Sequence, residues 1–165
     1  MTYECLMLEA EKEGVKVYEH RFISSQLKGL YFDNIITLNS SIETGAERLC
    51  VFAEELGHYY TSYGNILEQN FAGNRKQERR ARGWAYEKII TLDKLIEAHK
   101  TGIRSCYELA EFLGVTENFI KEAVEYYKNK YGLCAECGEY MIYFEPLVVF
   151  RKLKIKPIKK MKVLR

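Results

Sequence analysis

The densest group of chemically capable side chains is the run Ala53-Glu54-Glu55-Leu56-Gly57-His58. On a helix turning about 100° per residue, Ala46, Leu49, Cys50, Ala53, Leu56, Gly57 and Tyr60 form one apolar face. Glu54 and His58 lie together on its flank, one turn apart, so both side chains can reach one point in space. Glu55 points in a neighbouring direction. This is the layout of H-E-x-x-H, in which two histidines one turn apart bind zinc and the glutamate between them is the general base. Glu54 stands where the first histidine would be. A carboxylate can also bind zinc, but it makes the site more negative, weakens the Lewis acid and raises the pKa of a bound water.

A catalytic zinc needs three protein ligands and one open position. Glu78, 20 residues after His58, supplies a candidate third ligand in Glu78-Arg79-Arg80-Ala81-Arg82-Gly83-Trp84-Ala85. This run has the form E-x-x-A-x-x-aromatic-A, whose small residues let its helix approach another closely. Taken alone, E-E-x-x-H is a weak signal, since a charged helix flank with one histidine is common. Cys50, one turn before Glu54, is a conceivable soft ligand, but its place on the apolar face reads as a packed thiol.

The elements that must position these groups follow from periodicity and punctuation. Tyr3, Leu6, Met7 and Ala10 predict an opening helix that Gly14 ends. Short β-like runs follow at Val15 to Glu19, Leu27 to Phe32 and Asn34 to Leu38, the last two flanking a tight turn at Asp33-Asn34. Ser40-Ser41 offers a cap for a helix from about Glu43 to Tyr60. Gly64-Asn65 and Gly73-Asn74 punctuate a loop containing a further short apolar run, and a long helix is expected from about Arg75 to Lys100. Two shorter helices, Cys106 to Leu113 and Glu117 to Lys130, precede β-like segments at Tyr140 to Phe144 and Leu147 to Phe150. The fold class is α+β, a small antiparallel-type N-terminal sheet packed on a mostly helical domain, with a short β-like C-terminal segment.

The pairing of the Glu-Leu-Gly-His helix with the downstream E-x-x-A-x-x-aromatic-A helix resembles the ImmA/IrrE family of metallo-endopeptidases. The likeness runs from about Leu6 to Phe150, most clearly through Leu49 to Ser62 and Glu78 to Ala85. It implies a zincin-like fold, Zn2+ as cofactor, Glu55 as general base, His58 as metal ligand and Glu78 as the distal ligand, with Glu54 at the first ligand position. It also implies a protein substrate: a helix-turn-helix repressor, cleaved by an anti-repressor of a phage or mobile element. The departure at Glu54 leaves a second expectation, a non-catalytic module on the same fold that sequesters a repressor by contact.

Other constellations carry less. Cys134-Ala135-Glu136-Cys137 is a lone C-x-x-C without the second pair that a structural zinc needs, and reads as a turn with incidental thiols. Residues 105–130 have a helix-turn-helix look, with a capping box at Ser105 and Glu108 and a turn at Gly114-Val115-Thr116. The second helix opens on Glu117, Asn118 and Glu122, whose acids would repel phosphate, so a packing unit is expected rather than direct DNA binding. Arg75, Lys76, Arg79, Arg80 and Arg82 read as a solvated helix face. His20 and His99 read as surface or packing residues.

The bulk composition bounds the remaining classes. With 165 residues, 47% hydrophobic and 29% charged, the chain suits one packed domain over residues 1–150. No apolar run approaches the roughly 18 residues of a membrane helix, and Met1-Thr2-Tyr3-Glu4 lacks a signal-peptide layout. Five cysteines without framework spacing fit reduced thiols, hence a cytoplasmic location. Eight of the 25 Lys and Arg residues fall in the tail 151–165, which has no acid, leaving 17 basic against 23 acidic residues before it. Such a tail reads as a solvated terminus first and a contact for an acidic partner second.

Overall fold

In a computed structural model, Thr2 opens the first helix by accepting a hydrogen bond from the Cys5 N–H at 3.3 Å. That helix, α1 (Tyr3–Lys12), buries Leu6 and Ala10 and ends before Gly14, which takes a left-handed conformation. The structure describes residues 1–61 and 71–153, with 71–74 described by their backbone. The remaining elements are β1 (Lys16–His20), β2 (Gly29–Phe32), β3 (Ile35–Asn39), α2 (Gly45–Thr61), α3 (Phe71–Ile89), α4 (Leu92–Lys100), α5 (Cys106–Leu113), α6 (Glu117–Tyr131), β4 (Cys134–Cys137), β5 (Tyr140–Phe144) and β6 (Leu147–Arg151). The expected loop around Gly64-Asn65, with its short apolar run, and the tail from residue 154 lie outside the described residues.

The α+β class holds, with a small sheet at each end of the chain and six helices among the described residues. Asp33 and Asn34 both take positive φ (47° and 60°) in the two-residue turn between β2 and β3, which makes that pair antiparallel. The first sheet as a whole is mixed, which corrects the antiparallel expectation, because β1 joins the other side of β3 in parallel. Residues 21–28 therefore cross the end of β3. Asn39, 1% exposed, anchors that crossing: its side-chain amide donates to the carbonyl of Leu27 at 2.8 Å and accepts from the Ser41 N–H at 3.0 Å.

Three further boundaries differ from the sequence expectation. Thr44, rather than Ser40-Ser41, caps α2 by accepting from the Glu47 N–H at 3.1 Å. The long helix is two: Thr91 is extended and caps α4 by accepting from the Lys94 N–H, so the chain bends after Ile90. At its start, α3 takes in Gly73-Asn74, where the glycine suggests a loop. Cys134-Ala135-Glu136-Cys137 is strand β4, paired with β5 across a turn at Gly138, rather than a turn itself. The capping box on α5 is present, with Ser105 accepting from the Glu108 N–H and Glu108 accepting from the Ser105 N–H.

The helices α2 and α3 form the central pair. A Cβ placed on Gly57 would stand 2.3 Å from the Ala81 carbonyl oxygen, and Ala81 and Ala85 are fully buried. Glycine and alanine thus let the two backbones come together. Leu6, Ile36, Leu38, Phe52, Leu56 and Ile89 fill the core around them, and α5 and α6 add Leu109, Leu113, Phe119 and Ile120.

Candidate active site

The close approach of α2 and α3 sets the site. Tilting the apolar face of α2 into the core leaves Glu54, Glu55 and His58 half-buried on its flank. One residue beyond the Gly57–Ala81 contact, His58 Nε2 lies 3.4 Å from Glu78 Oε1 of α3. Glu54 is directed to a different neighbour: its Oε2 stands 3.9 Å from Arg82 Nε. Arg82 also reaches toward Glu122 of α6, at 4.0 Å, and Glu122 is fixed by hydrogen bonds from Tyr86 Oη and Asn118 Nδ2, both at 2.8 Å.

The edge strand β2 roofs this floor. Gly29 packs so tightly on Glu55 that a Cβ there would meet Oε1 at 2.6 Å. The Asn39 N–H bonds the Lys28 carbonyl, and the β2–β3 register then alternates, so the N–H and C=O groups of Gly29 and Tyr31 point away from β3. The Tyr31 N–H faces the Glu55 carboxylate and favours its charged form. A cleft of about 630 Å³ runs between this strand and the helices, walled by β2, Glu54, Glu55, His58, Glu78 and Arg82.

Burial and crowding govern the electrostatics. Burial pushes the Glu54 carboxyl up to about 7; Arg82 works against this, while Glu122 and Glu78 reinforce it. Burial likewise raises Glu55 to about 7, with Glu54 and Glu78 adding to the effect and the Tyr31 N–H opposing it. His58 is lowered by burial, against the pull of Glu78. Around neutral pH the cleft therefore offers an uncharged imidazole and carboxylates that share excess negative charge. A carboxylate poised near pH 7 is suited to proton transfer.

The donor set, one imidazole and two carboxylates, is of the kind that binds zinc at a catalytic site, and a divalent cation would relieve the crowding of Glu54, Glu55 and Glu78. Placement is less complete than chemistry. His58 and Glu78 converge, Glu54 is turned to Arg82, and among the described residues no three His, Cys, Asp or Glu side chains are grouped closely enough to hold a metal ion. Cys50 is buried and its thiol is 4.0 Å from the Thr116 hydroxyl.

Sequence reading did not assign Arg82, Glu122, Gly29 or Tyr31 to the site. Its basic neighbours suggest a solvated face for Arg82, although its position one turn after Glu78 puts both on one side of α3. The other three come from elements distant in sequence.

A half-buried acid-histidine helix crossed by a second helix, under the edge of a small mixed sheet, defines a metallopeptidase-like α+β domain. The family model of the IrrE N-terminal-like domain, peptidase M78, matches residues 10–125. The chain belongs to that family, and the matched stretch contains Glu54, Glu55, His58 and Glu78. No curated protein and no solved structure matches the chain. No described helix is long and apolar enough to cross a membrane.

Proposed function

We propose that the chain is a zinc-dependent endopeptidase of the cytoplasm that cleaves a helix-turn-helix repressor, serving a phage or mobile element as its anti-repressor. The observation that carries the reading is the 3.4 Å approach of His58 and Glu78 beside Glu55, itself packed against Gly29 of the edge strand that roofs the cleft. Glu54, His58 and Glu78 would hold the metal, which when bound supplies a Lewis acid at the scissile carbonyl. Glu55, its carboxyl raised by burial, accepts the proton of the attacking water.

The substrate backbone aligns along β2. The outward groups of Gly29 and the Tyr31 carbonyl offer the hydrogen bonds of an added strand. The outer face of the same sheet exposes Tyr18, Leu30, Phe32 and Ile35 side by side in register, which suits a protein partner. The repressor as substrate rests on family resemblance.

A second reading is favoured by the Arg82–Glu54 contact, which occupies one of the three donors with a protein cation. In it the cleft binds the repressor strand without cutting. Incubating purified repressor with zinc-supplied protein and with Glu55→Gln separates the two. Defined fragments from the parent and none from the variant support the peptidase. Repressor captured intact and equally by both supports the binding module.

A further inference from the structure

A second cavity lies between α4, α5, α6 and β6, with a volume of about 570 Å³. Its walls are apolar: Leu109, Ile120 and Val149 are each at most 6% exposed, with Val124 beside them. Polar groups are few and of one sign. His99, Arg104 and Lys121 line it, and no Asp or Glu does among the described residues. Arg104 spends one guanidinium nitrogen on the carbonyls of His99 and Ile103, at 3.0 and 2.8 Å. The Glu108 carboxylate stands behind this rim, accepting from the Arg104 and Ser105 N–H groups at 3.0 Å each, but it makes no ion pair with the Arg104 guanidinium or the Lys121 ammonium.

We infer that this cavity is a binding site for an amphiphilic anion, a ligand with an apolar chain of about ten carbons and a carboxylate head. Its size falls within the range of about 300–1,000 Å³ usual for small-molecule sites, and its make-up, apolar walls with a few polar groups, is the usual one as well. The chain would displace water from the apolar walls, and the head would accept hydrogen bonds from the free guanidinium N–H groups and the Lys121 ammonium. The same helix carries Glu122, which stands 4.0 Å from Arg82 of the cleft.

The test is titration of the full chain with decanoate, and in parallel with 1-decanol, by calorimetry. Saturable binding of about one decanoate per chain is expected, with decanol about tenfold weaker, as befits the loss of one hydrogen-bonded charge. Lys121→Glu, on the surface, should weaken decanoate to a similar degree and leave decanol unmoved. Val124→Trp should fill the cavity and abolish both, with an unchanged circular-dichroism spectrum showing that it folds. The proposal is overturned by absence of binding in the folded parent, by equal affinity for acid and alcohol, or by binding that survives Val124→Trp. It is also overturned if decanoate binds only after residues 154–165 are removed, which would assign the groove to the chain's own C-terminal segment.

Discussion

Gly57 of α2 faces the carbonyl oxygen of Ala81 of α3 at a distance that leaves no room for a side chain, since a Cβ there would stand 2.3 Å from that oxygen. This contact lies between Glu54 and His58 on one helix and between Glu78 and Arg82 on the other, so it sets how closely the four approach. Gly57→Ala should cost about 1–3 kcal/mol, because a backbone neighbour cannot swing aside. Gly45→Ala, with nothing within 4 Å of the added carbon, should be neutral or slightly stabilising. Urea midpoints of the two variants check this, and equal midpoints would contradict it.

Arg82 competes for Glu54. Arg82→Ala removes a cation from the cleft and frees that carboxylate, so zinc affinity should rise about fivefold, as a partly exposed charge contact of about 1 kcal/mol implies. A competition titration with a chromophoric chelator measures it. Weaker zinc binding in the variant would show that Arg82 supports the site instead.

The raised carboxyls give the chelator-treated protein a definite pH dependence. Glu54 titrates near 7 in the folded state against 4.5 ordinarily, so its contribution to stability is fully present below about pH 4.5 and is lost as pH rises through 7. Glu54→Gln lacks that loss. The melting temperature of the variant relative to the parent should therefore climb between pH 5 and pH 8. His58, lowered by burial, adds stability that is lost as pH falls, but it is common to both proteins and cancels in the difference. A difference that stays flat or falls across this range would count against the burial of Glu54.

Two cysteines should react at opposite rates. Burial pushes the Cys50 thiol up to about 11, whereas Cys5 is exposed and lowered by the Thr2 hydroxyl and N–H, which favour its thiolate. Native protein treated with iodoacetamide at pH 7.5 should carry the label on Cys5 well before Cys50. Early modification of Cys50, read by peptide mass spectrometry, would place it in the open cleft rather than in the core.

Much of this was legible in the sequence because it is local. The helical periodicity around Glu54 and His58, the Asp33-Asn34 turn and the Ser105–Glu108 capping box are each written within a few residues. What was not legible is tertiary. The break after Ile90 depends on Thr91 choosing to cap rather than continue a helix whose apolar period runs on. The parallel pairing of β1 depends on Asn39, whose buried amide holds the crossing loop from 12 residues away. Strand β4 was hidden because its four residues have a strand only in the company of β5. At the site, Glu54, Glu55, His58 and Glu78 could be named from spacing. The engagement of Glu54 by Arg82, and of Arg82 by Glu122, could not, since it requires the mutual placement of three helices.

The most direct test of the central claim is the zinc content of the untagged protein, measured by mass spectrometry after dialysis from micromolar excess. The account expects about one zinc per chain, lost in His58→Ala and in Glu78→Ala, and retained in Glu55→Gln. A parent that holds no zinc, or variants at His58 and Glu78 that hold as much as the parent, would contradict it.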